Sequence, residues 1–483
     1  MPMLRVFAVL ISVAVLLLAG CATNPVTGRQ NFVLMTETEE IKLGQDYHNK
    51  ILSEYTLYDD DNLQAYVSDL GLRLAEKSHR SDIEFKFFVL DSPQVNAFAL
   101  PGGYIYITRG IMAYMNSEAE LAGVLGHEIG HVTARHGVRQ QSRGALLGLL
   151  GSVAAAATGS TAVGDISNIF GSAFLSGYGR KQELEADRLG AQYLAVSGYS
   201  PWAMLDVIGV LKTQEEFEVD KARAEGRQAN VYHGLFASHP NNDKRLLEVI
   251  GAADNLASTS PPPPIDEAFL NQLNGMTFGQ SEKLGVVKNN VFMHKSLDVR
   301  IDFPLSWQIQ NQPDRLLGAS ASRDTIVQIA LDEADGIISL EEYLTAQFTN
   351  LEQGREFYSG DRVGYAGIAF INSPFGQRNA RVAAIQHNNW IYVSIGVSKE
   401  GLPDNEFYST INSIRFLQQE EQDSASDYFI DLARVGPGDS YRDFIGALID
   451  EPDIENRLRL LNGHYPDGEP APGQIIKILY QNN

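Results

Sequence analysis

The 483-residue chain holds a single cysteine, Cys21. That excludes a disulfide within the chain and any metal site built from several thiolates, so stability in an oxidising compartment has to come from packing. Basic residues are scarce as well: 38 Lys and Arg stand against 60 Asp and Glu, a formal charge of −22. With no Lys/Arg cluster to displace phosphate counterions, the sequence argues against nucleic acid as a partner. Beyond the N-terminus, the longest apolar stretch (144–176) is Gly/Ala/Ser-rich and too interrupted to read as a membrane span. What remains is an ordinary globular composition, 44% hydrophobic and 20% charged. It is enough for several cores and roughly two to four domains.

The cysteine has a context. "MPMLRVFAVLISVAVLLLAGC" places Arg5 before an apolar run that ends in Leu18, Ala19, Gly20 and Cys21, a signal-peptide layout whose last four residues resemble the bacterial lipobox. The expectation is a signal peptide over 1–20 and a lipidated Cys21 as the first mature residue, anchored by its acyl chains. An uncleaved apolar anchor is the alternative. Ala22, where an inner-membrane retention signal would carry Asp, favours the periplasmic side of an outer membrane.

Helical spacing runs over 36–77, followed by a strand, a loop and a second strand across "FKFFVLDSPQVNAFALPGGYIYITRG" (85–110). "NSEAELAGVLGHEIGHVTARHG" restarts a helix, with Asn116 or Ser117 as N-cap and Gly137 as C-cap. "YGRKQELEADRLGAQYLAVSGYSP" is another, ending near Gly198. Four consecutive prolines in "ASTSPPPPID" mark a linker over 257–269. Beyond it, "NVFMHKSLDVRIDFPLSWQI", "TIVQIALDEA", "RNARVAAIQHNNWIYVSIGV" and "INSIRFL" are strand-like, "SLEEYLTAQFTNLE" is helical, and 425–483 forms a last small unit.

In His127-Glu128-Ile129-Gly130-His131 the histidines are four apart, so on a helix both imidazoles leave one face and can share a zinc ion, with Glu128 placed to take a proton from activated water. A catalytic zinc needs a third protein ligand from another element and an open position. "KQELEAD" offers Glu183, with Asp187 on the same helical face to hold a ligand imidazole in its tautomer. Glu185 competes as ligand, but its two-residue offset points it away from Asp187. The strand "NAFALPGGYIYIT" reads as an edge for an extended substrate, contacted at Asn96, Ala97 and Phe98; an ordinary buried strand is the alternative.

"VNAFALPGGYIYITRG", "SEAELAGVLGHEIGHVTARHG", "ELEAD" and "ASHPNNDKR", in this order, resemble metallopeptidase family 48, the HtpX, BepA and CAAX prenyl-protease type, over about residues 21–255. The resemblance implies an α+β fold in which 21–256 is a mostly helical gluzincin metalloprotease domain with a small sheet. It implies one zinc per chain on His127, His131 and Glu183, Glu128 as catalytic acid/base and Asp187 as the orienting carboxylate. It also draws in His239, as a removable fourth ligand or an oxyanion donor, and Arg245 as a partner for an acidic group near the site. Residues 270–420 resemble a PsbP-like α/β domain, and 425–483 is similar to LysM, a peptidoglycan-binding unit. The function this implies is a membrane-anchored zinc endopeptidase acting on unfolded or misassembled cell-envelope proteins, with peptidoglycan as a partner of the C-terminal unit. The other reading is an assembly chaperone or holdase whose zinc is capped by His239.

Overall fold

A computed structural model describes residues 21–142, 178–224, 266–312, 314–334, 339–348, 350–424, 427–446 and 453–481. The signal-peptide and 144–176 readings, residues 257–265 of the linker reading, and His239 and Arg245 lie outside the described residues, while residues 267–269 of the linker reading begin a helix. The chain divides into two compact units, one comprising Met1–Leu52, Leu57–Met276 and Phe429–Tyr480, the other Ser53–Thr56, Thr277–Tyr428 and Gln481–Asn483. Among the described residues, no helix is long and apolar enough to cross a membrane.

The first unit opens with a short hairpin, β1 (Cys21–Thr23) and β2 (Gln30–Phe32). The helical stretch expected over 36–77 is two helices, α1 (Glu37–Glu54) and α2 (Asp61–Ala75). The break has a local cause. Leu57 bridges Leu90, Tyr58 N–H donates to Val89 O, and the Asp60 carboxylate caps α2 by accepting from the Asn62 and Leu63 amides. On α2, Leu63, Val67, Leu70 and Leu74 form one buried stripe at helical spacing.

Residues 85–110 hold three strands rather than two: β3 (Lys86–Leu90), β4 (Ala97–Leu100) and β5 (Tyr104–Thr108). Their order is β3-β5-β4, with β3 parallel and β4 antiparallel to the central β5. The reading of "NAFALPGGYIYIT" as one edge strand is corrected by the turn at Gly102 and Gly103. Both glycines have positive φ, 78° and 95°, and a Cβ on Gly103 would sit 2.5 Å from Glu84 O. No other residue type turns the chain there without strain, so "YIYIT" becomes the buried centre of the sheet.

After the short α3 (Arg109–Met112) comes α4 (Glu118–Thr133), buried around its whole circumference from Glu120 to Thr133. An all-round buried helix is the hub of its domain. It packs against α2, β4, α5 (Arg180–Val196) and α6 (Ala203–Ala224). Ser117 is its N-cap, accepting from Glu120 N–H. The C-terminal expectation is corrected: α4 ends at Thr133, Arg135 adopts a left-handed φ of 56°, and a new helical stretch starts at His136, so Gly137 is not a cap. The left-handed turn costs about 1 kcal/mol for a non-glycine residue. It is offset by the Arg135 guanidinium meeting the buried Glu40 carboxylate at 2.7 Å, which Arg80 also meets at 2.7 Å.

The helix α7 (Glu267–Leu273) closes this stretch. The second unit begins with β6 (Thr277–Phe278) and a small meander of β7 (Val286–Lys288), β8 (Val291–His294) and β9 (Val299–Asp302). Its main body is a seven-stranded antiparallel sheet. This sheet comprises β10 (Gln308–Gln312), β11 (Arg315–Ala319), β12 (Thr325–Glu333), β13 (Glu352–Ser359), β14 (Arg362–Ser373), β15 (Gly376–His387) and β16 (Trp390–Ser398). Its strand order is β10-β11-β12-β16-β15-β14-β13. One face packs Val327, Ile329 and Ile385 on Phe407 and Ile411 of α9 (Asp404–Asn412), and the other packs Ala384 and Ile391 on Leu344 of α8 (Leu340–Gln347). "INSIRFL" is therefore the end of α9 followed by one bridge, Arg300 to Arg415, and not a strand: Ile411 and Ile414 both face the core at helical spacing.

The short α10 (Gln419–Ser424) leads to the closing segment, made of β17 (Tyr428–Arg434), a 3-10 turn (Tyr441–Phe444), α11 (Ile454–Leu461) and β18 (Ile475–Gln481), with β17 and β18 neighbours in a sheet. Within the first unit, Tyr465 packs edge-on to Phe217 of α6 and donates to Asp220 at 2.9 Å. Lys477, fully buried on β18, donates to the carbonyls of Ala113 and Met115 at 2.6 and 2.7 Å.

Candidate metal centre

Two features bring α4 and α5 close enough to share a ligand set. Gly126 and Gly130 lie on α4 and Gly190 on α5, and a Cβ on Gly190 would meet His127 N at 3.1 Å and Gly126 C at 3.3 Å. A Cβ on Gly130 would meet Ala186 O at 3.0 Å. The close backbone approach carries Glu183 to the face that presents His127 and His131. Gly190→Val should force the helices apart, costing about 1–3 kcal/mol of stability and weakening zinc binding at least tenfold in a chelator competition. Gly209→Ala, on α6 where an added Cβ meets nothing within 4 Å, is the harmless control.

His127, His131 and Glu183 are all buried, and one ligand atom from each lies within 4.8 Å of the others. The two Nε2 atoms are 2.9 Å apart. His127 Nε2 lies 3.6 Å from Glu183 Oε2 and His131 Nε2 3.6 Å from Glu183 Oε1. A tetrahedral zinc with bonds of about 2.0–2.1 Å puts its ligand atoms roughly 3.3–3.4 Å apart; the two nitrogens lie a little closer than that, and Glu183 offers one oxygen to each nitrogen at a slightly longer distance. Two neutral imidazoles and one carboxylate are also the donor set this ion takes in open catalytic sites. The residues therefore fit one zinc per chain.

Glu128, 1% exposed, lies one residue past His127 on the same helix. Asp187 lies one turn after Glu183, and its Oδ1 is 2.9 Å from His127 Nδ1. That contact leaves the proton on Nδ1 and the Nε2 lone pair for the metal. Glu185 is not a third ligand: its Oε2 is 3.1 Å from His136 Nε2 and 3.2 Å from Arg139 Nη1. The hydrogen bond from His136 is the main cause that holds the Glu185 carboxyl below its ordinary range, and burial pushes the His136 imidazole down despite that carboxylate.

Asn96, Ala97 and Phe98 line up beside β5. Thr108 N–H donates to Asn96 O at 3.0 Å, Ala97 pairs with Ile107, and Phe98 stacks on Tyr106 with ring centres 4.8 Å apart. Cys21 opens β1. Two residues near the metal group carry no role in the sequence reading. Tyr178 stacks on His131 at 4.0 Å, and burial pushes its phenol above the ordinary range. His136 has its Nδ1 2.9 Å from His131 Nδ1. His136 stands in the quoted motif, but at five residues from His131 an unbroken helix would turn it away; the left-handed Arg135 turns it back.

Residues 61–252 match the model of peptidase family M48. The chain is 30% identical over 232 residues to the "Beta-barrel assembly-enhancing protease" of Escherichia coli, covering 45% of this chain and 44% of that one. The Yersinia pestis protein of the same name is 32% identical over 235 residues, covering 47% and 45%. A mitochondrial metalloendopeptidase of Schizosaccharomyces pombe is 28% identical over 236 residues, covering 47% and 64%. The chain thus spans less than half the length of the bacterial relatives it matches. The stretch 61–252 is thus similar to peptidase family M48, and it contains the buried group of two histidines and a glutamate that fits zinc.

Proposed function

We propose that the protein is a zinc metalloendopeptidase that hydrolyses peptide bonds in unfolded or misassembled cell-envelope proteins. The observation that carries the reading is the burial of Glu128 beside a three-residue ligand group that fits zinc. When bound, zinc supplies Lewis acidity that activates water and polarises a carbonyl. Glu128 takes the proton from the attacking water and returns it to the departing amine. Asp187 keeps His127 in the ligating tautomer throughout.

An extended substrate would pair along β4, the edge of its sheet. Because Asn96 O is already bonded to Thr108, the alternation of an antiparallel ladder directs the backbone groups of Ala97 and Ala99 outward, away from β5. Both are buried here, at 0% and 6% exposure, so pairing requires that edge to be uncovered first. Recognition through main-chain groups reads extension rather than sequence, which suits unfolded substrates and accords with the bacterial relatives being proteases named for β-barrel assembly. The reading includes a lipid anchor at Cys21 on the periplasmic side of an outer membrane and a LysM-like, peptidoglycan-binding C-terminal segment. The test is purified protein with unfolded casein: one tightly held zinc per chain and chelator-sensitive cleavage are expected, and a metal-free protein that leaves casein intact sinks the reading.

A further inference from the structure

His131 turns Nε2 toward Glu183 and His127, so with zinc on that nitrogen its ring proton sits on Nδ1. That nitrogen is 2.9 Å from His136 Nδ1, and two ring nitrogens at this distance share one proton. His136 Nδ1 must therefore accept, which places the His136 proton on Nε2, 3.1 Å from Glu185 Oε2. Arg139 Nη1 donates to the same carboxylate oxygen at 3.2 Å and keeps it in place. The sequence Glu185, His136, His131 is thus a directed chain of hydrogen bonds ending at a ligand nitrogen. His127 receives its carboxylate directly from Asp187, while His131 receives one through an intervening imidazole.

We propose that His136, held by Glu185, is a positioning residue that fixes the Nδ1–H tautomer and ring orientation of His131 and thereby sets the zinc affinity of the site. The inference rests on the zinc reading above. Its reach is local: His136 is fully buried and touches the ligand from the side opposite the metal, so it neither meets substrate nor moves a proton in the reaction.

Zinc affinity, measured by competition with a chromogenic chelator, is the readout. His136→Leu keeps bulk but offers no acceptor, and partners of this kind are worth about 10- to 100-fold in metal affinity, so a loss in that range is expected. His136→Asn sets its amide oxygen near the former Nδ1 and should recover most of the loss. Glu185→Leu releases the His136 tautomer and should weaken zinc in the same direction, whereas Glu185→Gln keeps an acceptor and should lose less. Cobalt-substituted His136→Leu should also show displaced visible absorption bands, which a merely space-filling role would not produce.

The inference is overturned if His136→Leu binds zinc as tightly as the parent, or if the Asn variant is as weak as Leu although the metal-free proteins melt at one temperature. Should His136→Leu fail to fold, Glu185→Leu, whose carboxylate is partly exposed, decides the matter. A parent protein that takes up no zinc overturns the functional reading and this inference together. Equal binding by parent and variants overturns this inference alone.

Discussion

Glu128→Gln should lower peptide hydrolysis by roughly 10²- to 10⁴-fold, the range for removal of a positioned general base, while leaving the zinc content unchanged. The amide is close in shape to the carboxylate but cannot take a proton. Glu128 is not among the three residues grouped as ligands, so its replacement leaves the donor set intact. The measurement is cleavage of an unfolded protein at saturating zinc, with metal content determined on the same sample. A variant that cleaves within a few-fold of the parent would assign the base to another residue. One that loses the metal would make Glu128 part of the zinc site itself.

The second large effect is one of stability and lies at the other end of the same helix. Lys477→Met should destabilise the first unit by about 3–5 kcal/mol, the cost of removing one member of a buried charge set. At about 2–4 °C per kcal/mol this is a drop of roughly 6–20 °C in melting temperature. Lys477 is fully buried, and its ammonium holds the carbonyls of Ala113 and Met115 just ahead of the turn that starts α4. Burial pushes its pKa down to about 7, opposed by the Glu120 charge. Burial likewise pushes Glu120 up to about 7, opposed by the backbone hydrogen bond from Asn116 and by the Lys477 charge. Neither group is comfortable alone. The double variant Lys477→Met with Glu120→Gln should therefore recover part of the loss, since replacing both members of a buried pair is far less costly than stranding one. Strictly additive losses would show that the two do not interact.

The structure explains why some residues were legible in advance and others not. His127, Glu128 and His131 form a local pattern on one helix, and helical periodicity alone aligns them. Glu183 and Asp187 repeat that logic on a second helix, one turn apart. The three-stranded sheet is not legible in the sequence because "YIYIT" and "NAFAL" are equally strand-like, and only the positive φ at Gly102 and Gly103 folds one against the other. The end of α4 is equally hidden, because a glycine at 137 is the ordinary C-cap whereas the chain reverses at an arginine held by a buried glutamate 95 residues away.

The sequence by itself determined the donor types, their spacing within each helix, and the acidic, cysteine-poor character that excludes thiolate metal sites and argues against nucleic acid. It could do so because those properties belong to single residues or to one helical turn. Only the tertiary structure decided that Gly126, Gly130 and Gly190 let two helices meet closely enough to share a zinc. It alone turned His136 back onto His131, changed Glu185 from a competing ligand into the anchor of that histidine, and joined Lys477 to the start of the zinc helix. Such contacts depend on the distance between backbones far apart in the chain, a quantity that no periodicity within one element encodes.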